Sequence, residues 1–312
     1  MTSVLRVIEP GLLTTIQDLG RPAAIAAGVP PGGAMDRFAH RAANLLAGNS
    51  PHDATLECTM NGAQLIAEAP CLVAITGADF QPRINGAPAP TWTSMFLGRG
   101  DRLSFDGRRT GARAYIAVGG GFEGDRWLGS RSTSLIAARG GMHGRPLAKG
   151  DELSLAAERS APAVAGRHLP PSLRPAYSGH VLHAMPGPHI RRLDAESRKL
   201  LFAAEFAVSR EADRMGYRLE GPRLATSGDE LLSFGLVAGA VQVPRSGQPI
   251  LLMADHQTAG GYPVVAVVIS ASMPIAAQLA PGDAVRFIQA TAAEASRRRL
   301  TLSSALATLS AP

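Results

Sequence analysis

Between Asp255 and Tyr262 the chain places a carboxylate, an imidazole, an amide, a hydroxyl and a phenol within eight residues. An apolar run from Ile250 to Ala254 precedes them, and a β-branched run from Val264 to Ile269 follows. Polar groups set between two such runs belong on a loop hung between strands. Gly260-Gly261 admits positive φ or close approach of backbone to a ligand, and Pro263 stiffens the exit. The same residues also suit a polar connection that satisfies its own turn, so a reactive and a structural reading both stand. A second group is Gly129-Ser130-Arg131-Ser132-Thr133, where an arginine among three hydroxyls suits an anion and equally a surface loop. A third is the loop that begins at Gln17, carries Asp18, Arg21 and the cluster Gly28-Val29-Pro30-Pro31-Gly32-Gly33, and ends at Asp36. A carboxylate at that point suits a helix N-terminus.

Several chemistries are excluded. Of the 31 basic residues, Lys149 and Lys199 are the lysines and the other 29 are arginine (31 less 2). There is no GxxxxGK[ST] phosphate loop, no plausible Schiff-base lysine and no segment of the Met-Lys-Met type to which biotin is attached. Gly119-Gly120-Gly121 lacks the amphipathic helix and acidic residue of a dinucleotide site, and Gly129 to Thr133 does not satisfy GxSxG. His180, His183 and His189 do not match zinc-ligand spacing, and no metal is expected. Cys58 and Cys71 read as buried free thiols. The net charge of +6 is carried by arginines that, apart from Arg297-Arg298-Arg299, are scattered and not interleaved with aromatics, which favours a solvated face or small anions over nucleic acid. No run approaches the roughly 18 to 20 apolar residues of a membrane span. Met1 to Arg6 has no leader-peptide character, so the expected location is the cytoplasm.

The elements that must position these groups are mostly strands. With 312 residues, 46% hydrophobic and 18% charged, the chain suits two domains, since single cores stop growing at about 250 to 300 residues. Residues 4–9 and 12–16 read as strands, and residues from Asp36 to Leu46 as one amphipathic helix stopped by Gly48-Asn49. From Ala54 to Val118 short apolar runs alternate with turns. Strands are also expected over 180–185, 230–234 and 240–243, a helix from Asp194, and a peripheral helix over 291–309. The segments 97–105, 147–155 and 279–287 echo one another as Gly-Asp turns feeding strands. The predicted organisation is mainly β: an N-terminal domain over 1–158, a Pro- and Arg-rich linker over 159–178, a second β domain over 179–290 and a helical tail over 291–312.

The order of motifs carries a resemblance. Gly11-Leu12-Leu13-Thr14-Thr15-Ile16-Gln17-Asp18-Leu19-Gly20-Arg21, Gly32-Gly33-Ala34-Met35-Asp36, Ala43 to Asn49, Leu56-Glu57, Gly129 to Thr133, Ser209 with Asp213-Arg214-Met215-Gly216, and Asp255 to Pro263 together resemble the biotin-dependent carboxyltransferase-like family. That family includes the C-type subunit of bacterial 5-oxoprolinase, the protein known as allophanate hydrolase subunit 2, an antagonist of a sporulation kinase inhibitor, and part of the carboxyltransferase domain of urea carboxylase. The likeness covers about residues 4 to 290. Two departures stand out: Ala259 where members often carry Thr, and Val264 where they often carry a basic residue.

The resemblance implies two tandem cyclophilin-like β-barrels with a few short helices. It also implies a B-type sister subunit related to the kinase inhibitor, an A-type hydrolase subunit, and an active site shared between polypeptides. As a 5-oxoprolinase the complex would use ATP to open 5-oxoproline to glutamate. As a carboxyltransferase it would take carboxybiotin from a separate carrier and act on urea or a similar amide. A third implied reading is a regulatory module that binds a kinase-inhibitor-like partner without turnover. For either enzyme, Asp255 is expected as the acceptor for substrate N–H or the base, with Gln257, Thr258 and Tyr262 as donors. Arg21, Asp36, Arg131, Ser132, Asp213 and Arg214 are expected to contact substrate.

Overall fold

The computed structural model describes residues 3–157 and 164–310. The expected domain end at 158 and the linker's first residues, 159–163, lie outside the described residues, as do Met1, Thr2 and the tail's last two positions. The chain divides into two units: Met1–Arg21, Gly32–Arg174 and Leu302–Pro312 form the first, Pro22–Pro31 and Pro175–Thr301 the second.

In the first unit the apolar runs become two antiparallel sheets. One has six strands in the order Glu152–Ser154, Ser3–Glu9, Gln64–Ala67, Arg102–Phe105, Pro82–Ile84, Ala87–Pro88. The other has five, in the order Leu13–Gln17, Thr55–Thr59, Thr110–Val118, Cys71–Asp79, Thr93–Leu97. Leu5, Leu65 and Leu103 from the first sheet and Leu56, Ile75 and Ile116 from the second join one buried cluster, so the core sits between the sheets. Central strands of the second sheet are buried along nearly their whole length because the helix Arg37–Leu46 covers their other face. Phe38, Ala39, Ala42, Ala43 and Leu46 form the helix's buried stripe. Thr76 Oγ1 pins it by donating to the Ala39 carbonyl (2.7 Å).

The second unit is a closed seven-stranded barrel: Val181–Pro186, Val264–Val268, Ala240–Gln242, Ile250–Leu252, Gly216–Glu220, Glu205–Val208, Ala284–Gln289 and back to the start. Six junctions are antiparallel, and the closing one, between Ala284–Gln289 and Val181–Pro186, is parallel. Closure leaves no sheet edge in the barrel wall. Asp194 caps the helix Ala195–Ala203, accepting from Ser197 N–H (2.7 Å). The helix Ala292–Ala307 is mostly exposed, with Ala305 as its buried residue.

Three expectations are revised. Glu230 to Phe234 is not a strand; pairing is confined to Phe234–Gly235 with Ala259–Gly260, and Leu232, 92% exposed, has no face to bury. Pro22–Ala27, read as loop, is a 3-10 turn. Residues 164–174, read as linker, pack into the first unit: Thr93 bridges to His168, Leu169 is fully buried, and Arg167 donates to the Leu45 carbonyl (3.0 Å). A single bridge and short turns leave no periodic signal.

The echoed turns share one geometry. In each, the aspartate carboxylate accepts the backbone N–H three residues earlier: Gly98 to Asp101 (2.7 Å), Ala148 to Asp151 (2.7 Å), Ala280 to Asp283 (2.8 Å). The glycines Gly100, Gly150 and Gly282 sit at φ of 88°, 89° and 89°. Each glycine N–H donates to a neighbouring strand, at Ala67, Val7 and Val208, and each of those N–H groups donates back to the aspartate carbonyl. The leucine that opens each turn, Leu97, Leu147 or Leu279, is buried.

Candidate functional site

In the second unit the Asp255–Pro263 loop is anchored before it is reactive. Asp255 lies just beyond the barrel strand Ile250–Leu252, and Arg214 just before Gly216–Glu220, which pairs with that strand. Register therefore brings them face to face. Arg214 Nε donates to Asp255 Oδ2 (2.9 Å) and Nη2 to Oδ1 (3.1 Å), while Asp255 N–H donates to the Arg214 carbonyl (2.8 Å). The side chains are 9% and 11% exposed. A two-point ion pair this well buried fixes the orientation of the carboxylate. The ion pair gives Asp255 a positioning contact with Arg214 that links the loop to the neighbouring strand. Asp213, exposed, closes its own turn by accepting from Met215 N–H (2.8 Å) and Gly216 N–H (3.1 Å).

Beyond the anchor the loop turns outward. His256 is buried, and its Nδ1 lies 2.7 Å from the Gln257 carbonyl; burial lowers its pKa despite that carbonyl and Asp255. Gln257 is exposed, Thr258 half-buried and Tyr262 half-exposed. Gly260 has no room for a side chain: a Cβ there would lie 3.0 Å from Gln257 Nε2 and 3.4 Å from Gln242 Nε2. Gln242, a buried barrel residue, has no hydrogen-bond partner for that nitrogen among the described residues. Leu236 Cδ1 would also lie 3.0 Å from that Cβ, so the space beside the glycine is already filled by Gln257, Leu236 and Gln242. Val264 is buried in the barrel wall and donates its N–H to His189 Nδ1 (3.2 Å), so a basic side chain is not accommodated there without rearrangement.

Beside this loop lies a recess of about 660 Å³, lined by Gly261, Tyr262 and Pro263 together with Arg192, Arg218 and Arg245. Sequence reading missed these three arginines. Arg245 follows Pro244 in a turn, a weak signal; Arg192 and Arg218 carry none, because only pairing between strands distant in sequence brings them to the recess.

In the first unit the structure gathers Arg131 and Ser132 around Asp18. Asp18 Oδ1 accepts from Ser130 Oγ (2.6 Å), Ser132 Oγ (2.6 Å) and Gly20 N–H (2.7 Å), and Oδ2 from Arg131 N–H (2.6 Å). Burial alone raises this carboxyl's pKa, but the Ser130 and Ser132 hydroxyls and the two N–H groups outweigh it and the pKa is lowered. The anion held by Ser130, Arg131 and Ser132 is therefore the protein's own Asp18. The Arg131 guanidinium pairs with Glu123 (2.9 Å). Arg21, buried, donates to the Ser132 carbonyl and lies 4.7 Å over the Trp127 ring. Asp36 is fully buried and caps the helix Arg37–Leu46 through Ala39 N–H (2.9 Å). Its own N–H donates to Tyr115 Oη (2.7 Å), and that hydroxyl donates to Glu57 (2.7 Å), which also accepts from Met35 N–H (2.8 Å). Burial, with Glu57 and Asp36 beside it, pushes the Tyr115 phenol well above its ordinary range. Each of the four expected substrate contacts of this unit is thus engaged within the fold. Among the described residues no group of three His, Cys, Asp or Glu is placed to hold a metal, and no helix is long and apolar enough to cross a membrane.

Comparison with known proteins decides the family. Residues 27–289 match the family model described as carboxyltransferase domain, subdomain A and B. The chain belongs to this carboxyltransferase family. It is 37% identical over 298 residues to the C subunit of 5-oxoprolinase from Escherichia coli, covering 95% of this chain and 94% of that one. Against the C subunit of 5-oxoprolinase from Haemophilus influenzae the identity is 34%, with the same coverage. The structure superposes on the urea amidolyase of K. lactis with a TM-score of 0.92 at 28% identity, over 99% of this chain and 20% of that one. The carboxyltransferase chain thus spans about a fifth of that larger protein and nearly the full length of the two bacterial relatives.

Proposed function

We propose that this carboxyltransferase-family chain is the C-type subunit of an ATP-dependent 5-oxoprolinase that opens 5-oxoproline to glutamate. In this reading it works with a B-type sister subunit and an A-type hydrolase subunit, and is inactive alone. The observation that carries the reading is the near end-to-end match to two proteins of that name, 95% of this chain and 94% of each relative. The geometry supports a division of labour in the second unit. Arg214–Asp255 fixes the loop, the exposed Gln257 offers an amide donor to a lactam carbonyl, and Tyr262 offers a phenol at the recess. Donors fixed before the reaction stabilise developing oxyanion charge without reorganising. The chain has no GxxxxGK[ST] loop, so ATP is assigned to the complex rather than to this polypeptide.

The test mixes the purified chain with its A-type and B-type partners and follows ATP-dependent glutamate release from 5-oxoproline. Glutamate formation should require all three proteins, and Gln257→Ala should slow it about tenfold to a hundredfold while leaving the assembly intact. Equal glutamate without this chain would refute the proposal. A second reading, carboxyl transfer from carboxybiotin to urea or a similar amide, is favoured by the 0.92 superposition on a urea amidolyase. Incorporation of labelled bicarbonate with a biotin carboxylase and carrier, in place of glutamate release, would establish it.

A further inference from the structure

We propose that the recess beside Tyr262 is a carboxylate-binding site, with Arg192 as its fixed cation and Arg218 and Arg245 as mobile ones. The choice of ligand rests on the 5-oxoprolinase reading; the site itself rests on charge. Arg192 ends a 3-10 turn, and its backbone carbonyl is held by Ser227 N–H (2.9 Å) and Ser227 Oγ (3.2 Å). Its guanidinium donates to the Asp229 carbonyl and, among the described residues, pairs with no carboxylate. A cation anchored by a neutral carbonyl keeps its charge available. Its field is felt locally: burial first, then Arg192, lowers the pKa of His189, so the neighbouring imidazole stays neutral and adds no positive charge.

The other two arginines are held loosely. Arg218 pairs with Glu211 at 2.9 Å and Arg245 with Glu230 at 3.4 Å, in side chains 61% to 85% exposed. Such surface pairs are weak, and a ligand carboxylate competes with them. Asp229 and Glu230 also line the recess, so it is not uniformly basic, and selectivity falls to the anchored Arg192. Val243 and Ile250 supply apolar wall, and a volume of about 660 Å³ suits a small organic acid rather than a polymer. Tyr262, half-exposed, reaches the recess from the loop, so an acid held there lies beside the residues assigned above to the lactam.

The test is equilibrium binding of two lactams to the full chain, followed by ligand NMR or calorimetry. 5-Oxoproline carries the carboxylate, and 2-pyrrolidinone is the same ring without it. The wild type should bind 5-oxoproline about tenfold or more tightly than 2-pyrrolidinone, with the difference shrinking as salt is raised. Arg192→Gln should remove about tenfold of the affinity for 5-oxoproline, Arg192→Lys should restore part of it, and Arg245→Gln, on an exposed turn, should weaken it a few-fold. Equal affinity for the two lactams would overturn the proposal, as would unchanged binding in both Arg192→Gln and Arg245→Gln. If Arg192→Gln does not fold, the lactam pair and Arg245→Gln decide alone. Arginine-dependent carboxylate binding without glutamate formation by the assembled complex keeps the site and removes the 5-oxoprolinase reading. Glutamate formation with no arginine-dependent binding does the reverse.

Discussion

Replacing Asp255 by alanine separates a scaffold from a base. In the folded chain Arg214 and Asp255 are 9% and 11% exposed and share two hydrogen bonds of 2.9 and 3.1 Å. Removing one partner of a buried pair strands the other charge and costs about 3 to 5 kcal/mol. The residual exposure admits some water, so about 3 kcal/mol is expected here. For a unit of this size that corresponds to a fall in Tm of roughly 6 to 12 °C. Asp255→Leu combined with Arg214→Met removes both charges and should recover most of the loss. Urea unfolding of wild type, Asp255→Leu, Arg214→Met and the double variant, read by circular dichroism and by near-ultraviolet signals, closes the cycle and yields the coupling energy. Activity of the double variant, assayed in the assembled complex, should track loop order rather than vanish. If Asp255→Ala unfolds within about 1 kcal/mol of wild type while turnover disappears in both it and the double variant, Asp255 is a base and the scaffolding role is wrong.

Two further outcomes are expected. His40 is fully buried against Thr55, and burial depresses its pKa to about 3 despite the opposing pull of Asp18. The unfolded chain binds the proton that the folded one refuses, so this contribution is complete above an unfolded pKa of about 6.5 and is lost as pH falls toward 3, at up to about 1.4 kcal/mol per pH unit. Urea titrations near pH 7 and pH 5 should show that slope in wild type and a flatter one in His40→Gln; identical slopes would refute the assignment. Asp283→Ala should cost about 1 kcal/mol through its lost N–H contact, and Gly282→Val should cost more because of its φ of 89°. Parallel melting curves read both, and a neutral Gly282→Val would show that the turn relaxes.

Much of the fold is legible in the sequence because strands advertise themselves locally. The apolar runs and turns expected from Ala54 to Val118 become strands such as Thr55–Thr59, and Asp36 announces a helix start that the structure uses. What escapes is anything set by a partner distant in sequence. The hydroxyls of Ser130 and Ser132 are visible, but not that Asp18, 112 and 114 residues earlier, already occupies them. Asp255 is visible, but not Arg214, 41 residues upstream, which barrel register turns toward it. Glu230 to Phe234 carries the apolar residues of a short strand, yet composition does not encode whether a neighbour is available to pair with it.

The three Gly-Asp turns bear on engineering. Within this one chain the position before each glycine is Arg99, Lys149 or Pro281, while the glycine, the aspartate and the buried leucine are the same in all three. The shared turn requires the glycine, the aspartate and the buried leucine for its backbone shape and leaves the tip residue free to differ. The tips face solvent, and a Cβ on any of the three glycines would meet nothing within 4 Å. Arg99, Lys149 and Pro281 are thus three attachment points, two on the first unit and one on the second, where a fluorophore or a surface tether can be installed without entering either core.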